Sequence, residues 1–319
     1  MATLNRIPHS LVAASKDSDR LFNTIAHTHA ETSAIVPHLI HNGPAPQPWL
    51  LLSPFLPLFL SSQRIAPTSL HTILLPRSFL LFLRSANPAD LITARIPESD
   101  VEDLAAIFPT TTVGGANIAQ VLATGKYFAR LDTCSLKDPV IRENAIKDVR
   151  DLWTRLATSA RGNTAIINLL AEDPSKQILL YLFPWNPQIQ TSLKYRVFCA
   201  PPHGKLTAIS RYKWHAPWHH ATKTPEPQQV IADNLVRKCR ELHERIMGHE
   251  GLTEELKGEG FVFDVCEDAQ TQEVVLLELN DSGAMKHCGS CLFQWVRGVR
   301  VLYGMEGERE GKVEVKVAG

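Results

Sequence analysis

Two kinds of hydrophobic spacing alternate along this chain. Apolar residues at every second position mark strands, and recurrence at three and four positions marks helices. The period of two is clearest over Phe261–Asn280, FVFDVCEDAQTQEVVLLELN, which predicts two strands joined by a polar turn. Phe261, Phe263, Val265, Val275, Leu277 and Leu279 then share one face, and Val262, Asp264, Cys266, Leu276, Glu278 and Asn280 the other. Tyr127–Leu131 and Ile178–Phe183 read as short strands, and Leu193–Ala200 and Leu206–Tyr212 flank PPHGK as a second hairpin. Helical spacing joins Ile141, Ala145, Val149, Trp153 and Leu156, predicting a helix opened by Pro139 and stopped near Gly162. A second helix is predicted over Gln229–Met247, with Leu235, Cys239, Leu242 and Ile246 on one side. Glu98–Phe108 predicts a shorter one, with Ser99 as N-cap.

Other stretches lack a clear period. The first ~45 residues are polar with scattered histidines and are expected to be partly loose. The charged, glycine-rich stretch after Gly304 is expected to be a solvated extension. Residues 48–85 are apolar and interrupted by proline. Within them Trp49–Leu60 is the most membrane-like run, yet it is shorter than the ~20 apolar residues a spanning helix needs and contains Pro54 and Pro57. Buried structure or a groove for a partner is expected there, not membrane insertion. The order of elements is mixed and no repeat is visible, which predicts an α+β fold with antiparallel sheets.

Composition narrows the function classes. Hydrophobic residues make up 44%, the range of a folded globular protein. A formal net charge of +0 argues against a generic nucleic-acid surface. Six cysteines in 319 residues are sparse, so reduced thiols and an intracellular setting are expected. No glycine-rich phosphate loop or dinucleotide fingerprint is present.

The candidate chemistry sits on the strands. If Asp264 lies opposite Glu278, two like charges face each other, which destabilises a sheet unless something neutralises them. A hard divalent cation does so, and magnesium takes one or two carboxylates, waters and substrate phosphates. Asn280 adds a neutral oxygen on the same face. A solvated edge is the alternative, but Glu278 stands in the otherwise uncharged run VVLLELN. Arg130 in YFARLD, Arg196 in YRVFCA and Arg211 in the partner strand each sit among apolar neighbours. Arginine suits phosphate oxygens through its paired donors; for each of them a simple ion pair is the alternative. Tyr181–Trp185, YLFPW, runs from a strand into a loop and offers either an adenine slot at Phe183 or a core aromatic pair, and the pattern alone favours the pair. His215, His219 and His220 in WHAPWHHA have the chemistry of transition-metal ligands, but their spacing around Pro217 favours a plain loop. Cys288 and Cys291, after His287, form a single CxxC without the second pair a structural zinc site uses. Nothing marks Cys134 as a nucleophile.

Taken together, several segments resemble the cell division cycle protein 123 family, an ATP-grasp group. They are FARLDTCSLKD at 128–138, YLFPW at 181–185, YRVFCAPPHGKLTAISRY at 195–212, FVFDV at 261–265, LLELND at 276–281 and SCLFQW at 290–295, in family order over roughly residues 126–304. The resemblance implies a two-lobed ATP-grasp fold with nucleotide between the lobes: residues 1–183 as N-terminal lobe, 184–304 as C-terminal lobe, 305–319 as tail. Asp264, Glu278 and Asn280 fall where the family holds magnesium. Arg196 falls on the arginine of an EFR-like strand, Arg130 where a lysine commonly reaches the phosphates, and Phe183 near the adenine-contacting hinge; Arg211 completes the candidate phosphate set. Two residues depart from the pattern: Arg130 stands for lysine, and Glu278 for the usual aspartate. The acidic extension of some members is replaced by the mixed-charge GKVEVKVAG. The implied function is a cytoplasmic Mg-ATP-binding assembly factor for eukaryotic translation initiation factor 2, contacting its gamma subunit, with neither nucleic acid nor membrane as partner. The alternatives are an ATP-grasp ligase that joins an acid to an amine through an acyl phosphate, or a kinase.

Overall fold

In the computed structural model, the described residues are all except 16–20, 25–26, 36–49, 94, 137–144, 173–176, 269–270, 272, 285–287 and 306–311. The strands are β1 (Ala2–Ile7), β2 (His71–Leu75), β3 (Tyr127–Leu131), β4 (Ile178–Pro184), β5 (Lys194–Ala200), β6 (Lys205–Arg211), β7 (Phe261–Glu267), β8 (Val274–Asp281) and β9 (Val313–Ala318). They form a six-stranded sheet in the order β1-β9-β6-β5-β7-β8 and a three-stranded sheet in the order β2-β4-β3. The α+β class is therefore as expected. The larger sheet is mixed, not purely antiparallel, because β9 runs parallel to both β1 and β6.

The chain forms two compact units, one of Arg64–Asn186 and one of Met1–Gln63 with Pro187–Gly319. The first 63 residues thus belong with the C-terminal residues, unlike a division at residue 183. In the smaller unit, β4 lies between β2 and β3, antiparallel to both. Ile178, Leu180 and Leu182 alternate onto the face that meets Phe79, Leu83, Leu104, Leu152 and Ile166 from surrounding helices. Each fully buried side chain of this kind contributes about 1.5–3 kcal/mol. The helix predicted from Pro139 begins instead at Val149, where Asp148 caps it by accepting from the Asp151 amide. Ala145 and Ile146 are not helical, and Ile146 bridges to Tyr127. Pro139 and Ile141 lie outside the described residues. Gly162 does not end the helix; it falls inside a second one, Ala160–Glu172. Ser99 is likewise inside its helix, Glu98–Ile107, and Pro97 holds the cap position.

In the larger unit, the helix Pro225–Met247 starts four residues before its expected first residue and buries Ala232, Leu235, Val236, Cys239, Leu242 and Ile246. The PPHGK hairpin forms as read, with Gly204 at φ +62° in its turn. The solvated tail expected after Gly304 is not found at its end: Val313–Ala318 forms β9, which pairs with β1 from Ala2↔Val313 to Ile7↔Ala318. The first residues of the polar N-terminal stretch are therefore ordered, while 16–20, 25–26 and 36–45 lie outside the described residues. Val313, Val315 and Val317 are buried. The valines alternate with lysine and glutamate, which keep the outer positions polar while the valines pack inward. The apolar 48–85 region is built into the fold: Leu52, Phe55, Leu58, Phe59 and Leu60 are buried in the larger unit, and Ile73, Leu75, Phe79, Leu80 and Leu83 in the smaller. No described helix is long and apolar enough to cross a membrane.

Candidate functional site

The β7–β8 hairpin places Asp264 directly opposite Glu278 and Asn280 opposite Val262. A β-bulge then interrupts the ladder: Val265 pairs with Leu276, so Leu277 is the extra residue. Beyond it the expected faces are exchanged on β8. Leu276 turns to the Phe263 face and is fully buried, while Val275 falls beside Cys266. The bulge spares the acidic pair, because Asp264, Glu278 and Asn280 all lie on its near side.

Register extends this row across the whole sheet. Asn5 pairs with Lys316, Lys316 with Ser210, Ser210 with Arg196, Arg196 with Asp264, and Asp264 with Glu278. Opposed residues in a ladder point to the same side, so one polar side chain from each of six strands stands in a line on one face. Its centre is occupied by an ion pair. The Arg196 guanidinium donates to Asp264 through Nε at 2.7 Å and Nη2 at 2.8 Å, while Nη1 donates to the Gly289 carbonyl at 2.6 Å. The Tyr212 ring lies 5.1 Å from the guanidinium carbon. Residues 289–295 cover this face: Ser210 accepts from the Leu292 amide, Lys316 sits 4.1 Å over the Phe293 ring, and Phe198 packs edge-on to Phe293 and Trp295. Burial alone would lower the Arg196 pKa, but the Asp264 carboxylate overrides it and holds the group well above its ordinary value. Burial pushes the Cys288 and Cys291 thiols up to about 12, so both stay protonated at neutral pH. All six cysteines are buried thiols outside any disulfide; His287 lies outside the described residues.

The remaining candidates are elsewhere. Arg211 pairs with Tyr195, not with Arg196's row, and so faces the opposite side; its Nη1 donates to the Ala216 carbonyl. Burial lowers its pKa. Arg130 and Phe183 belong to the smaller sheet. Arg130 pairs with Tyr181 and Phe183 with Phe128, which places all four on the face turned away from the helix-packed Leu180 and Leu182. Arg130 and Phe183 are both buried.

On the Arg211 side of the larger sheet, His219 and His220 gain a partner that their local sequence does not supply. Glu267 ends β7 and meets His219 and His220 from the loop after β6, with one potential ligand atom from each within 4.8 Å of the others. Burial first, and His219 second, lower the His220 pKa to about 4. The signal in the sequence was the histidine pair itself. What was not legible was that the chain returns Glu267 to it.

As for the magnesium expectation, Asp264, Glu278 and Asn280 present only hard oxygen donors, the set that magnesium takes. A carboxylate has about four acceptor sites, so the Arg196 bonds leave capacity on Asp264. The Asn280 amide nitrogen is buried and has no hydrogen-bond partner among the described residues. Amide oxygen and nitrogen exchange places by a simple flip, so that end of Asn280 fits a ligand oxygen. The residues fit the ion.

No model of a known protein family matches the chain, and no curated protein matches it. Solved structures do. Cdc123 from Schizosaccharomyces pombe superimposes with a TM-score of 0.55 at 14% identity, over 84% of this chain and 95% of that one. A C-terminally truncated form of the same yeast protein gives a TM-score of 0.55 at 14% identity, over 85% of this chain and 95% of that one. At that identity the shared property is the fold: this chain has the mixed α+β fold of Cdc123.

Proposed function

We propose that this chain, built on the fold of Cdc123, is a Mg-ATP-binding ATP-grasp protein that promotes assembly of eukaryotic translation initiation factor 2 by binding its gamma subunit. The observation that carries the nucleotide part is the buried pair Asp264 and Glu278, directly opposed on β7 and β8 with Asn280 beside them. Two buried carboxylates in one ladder step are costly by themselves. Arg196 offsets one of them through its bonds to Asp264. The resemblance of LLELND and FVFDV to the family's metal-holding segments supports the same assignment. Asp264, Glu278 and Asn280 would hold the ion, which when bound would neutralise phosphate oxygens. Arg196 acts here as a positioning residue, fixing the Asp264 carboxylate through two parallel bonds. The resemblance assigns phosphate and adenine contacts to Arg130 and Phe183. Nucleotide then biases the protein toward the partner-binding state, a population shift that requires no bond to be made or broken.

The test is binding first and partner second. Glu278→Ala should weaken Mg-ATP binding at least about tenfold by calorimetry, since it removes one of two charged ligands. Unchanged nucleotide affinity in a folded variant would sink the site. Capture of the purified gamma subunit should be stronger with ATP than without, and little ADP should form. Release of ADP and phosphate only when an acid and an amine are both supplied would replace the assembly role with ligase chemistry.

A further inference from the structure

The group of His219, His220 and Glu267 has no part in the proposed nucleotide site, since Glu267 lies on the opposite face of the sheet from Asp264. The His219 Nε2 and Glu267 Oε2 atoms are 3.6 Å apart, too far for a hydrogen bond. The His219 and His220 ring centroids are 3.8 Å apart with the planes tilted by 50°. The His220 Nε2 atom is buried and has no hydrogen-bond partner among the described residues. Three donors therefore converge with no hydrogen bond joining Glu267 to either ring. A tetrahedral ion bonded at about 2.0–2.2 Å spaces its ligand atoms about 3.3–3.6 Å apart, the spacing that His219 and Glu267 already have.

The surroundings hold these donors in place. Trp218 Nε1 donates to the Tyr195 hydroxyl at 2.8 Å, and that hydroxyl donates to Glu267 Oε2 at 3.4 Å. A hydrogen-bond donor outside the ligand set that holds the carboxylate is the usual support for a metal ligand. The loop is fixed as firmly. The buried Gln228 amide donates to the carbonyls of His220, Ala221 and Lys223 at 3.1, 3.1 and 2.8 Å. The Trp218 amide donates to the Ala318 carbonyl at 2.7 Å, tying the loop to the end of β9. Ligands on a backbone pinned at this many points are preorganised.

We propose that His219, His220 and Glu267 form a binding site for a divalent transition metal of the zinc type, joining the end of β7 to the loop after β6. Two imidazoles and a carboxylate suit zinc, and the nitrogen donors separate it from the all-oxygen set at Asp264. Three protein ligands leave the fourth position to water or to an external group.

The experiment titrates the chelator-treated, dialysed full-length chain with zinc chloride by calorimetry. Wild type is expected to bind at a single site, and His219→Gln/His220→Gln to lose at least about 100-fold in affinity. Tyr195→Phe, which frees the carboxylate without touching the ligands, should lose about tenfold. X-ray absorption of the zinc-loaded wild type provides a readout that needs no variant: it should show imidazole and carboxylate donors. Absence of zinc binding, equal affinity in the folded double variant, or a sulfur shell placing the zinc on cysteines would each overturn the proposal.

Discussion

Replacing Asp264 by asparagine isolates the ion pair at the centre of the sheet. The change keeps the volume but removes the charge and replaces one acceptor oxygen with an NH2 group facing the guanidinium donors. Arg196 and Asp264 are 7% and 2% exposed, so water cannot substitute for the lost partner. Leaving one member of a buried pair alone costs about 3–5 kcal/mol. The bonds give the same range: two charge-assisted contacts, at 2.7 and 2.8 Å, are disturbed, each worth about 1.5–3 kcal/mol. The bond to Gly289 remains and keeps the loss from the top of their sum. With a urea dependence of about 2–3 kcal/mol per molar, the unfolding midpoint should fall by about 1–2.5 M. The control is the double variant Arg196→Met/Asp264→Leu, which removes both charges. Its midpoint should lie close to wild type, because a buried pair exchanged for apolar residues of similar size is often neutral. Urea unfolding followed by far-ultraviolet circular dichroism measures both. A loss below about 1 kcal/mol in Asp264→Asn, or a double variant as unstable as the single, would refute the reasoning.

Three further outcomes are expected. Gly260 has φ +76°, and an added Cβ would lie 2.7 Å from the Cys199 carbonyl oxygen; Gly260→Ala should therefore cost about 2 kcal/mol or more in the same urea assay, and an unchanged midpoint would contradict the strain. Val315 is fully buried in β9, so Val315→Asp should cost about 4 kcal/mol or more and reduce the folded yield; a soluble variant with a wild-type melting curve would show that β9 is dispensable. Burial holds the His243 pKa below its ordinary value while the imidazole bonds the Gly204 carbonyl and stacks near Phe261. The unfolded chain then takes up its proton first as pH falls, so this stability is full above about pH 6.5 and is lost below it. Between about pH 7 and about pH 5, His243→Gln should show a shallower decline in urea midpoint than wild type, and parallel declines would exclude the histidine as the source.

What could be read from the sequence depended on whether the signal was local. Tyr127–Leu131, the PPHGK hairpin and the Asp264–Glu278 register follow from alternation over a few residues, and all three are present. The bulge at Leu277 was invisible, since VVLLELN alternates no more clearly on one side of it than the other. The helix start at Val149 was misplaced because Pro139 looked like a stronger opener than the Asp148 side chain that caps it. The Arg196–Asp264 pair could have been inferred: each is a charge flanked on both sides by apolar or aromatic residues in a predicted strand, and such charges seek each other. The tail and the histidine–glutamate group were beyond local pattern. Val313–Ala318 becomes a strand only because β1 and β6 offer edges on both sides, and Glu267 reaches His219 only through the tertiary fold.

The position of β9 also constrains the order in which the molecule can be made. Arg64–Asn186 is contiguous, so it can collapse on the ribosome while later residues are still being added. The six-stranded sheet cannot. Asn5 bonds Glu314, 309 residues further on, and until that stretch is translated β1 has no strand to pair with and β6 has a bare edge. Unpaired edges are where strands of other chains attach. A nascent chain must therefore keep these edges from misuse until Val313–Ala318 has emerged, and slowing elongation between the codons of β6 and β9 should raise aggregation more than slowing it within Arg64–Asn186.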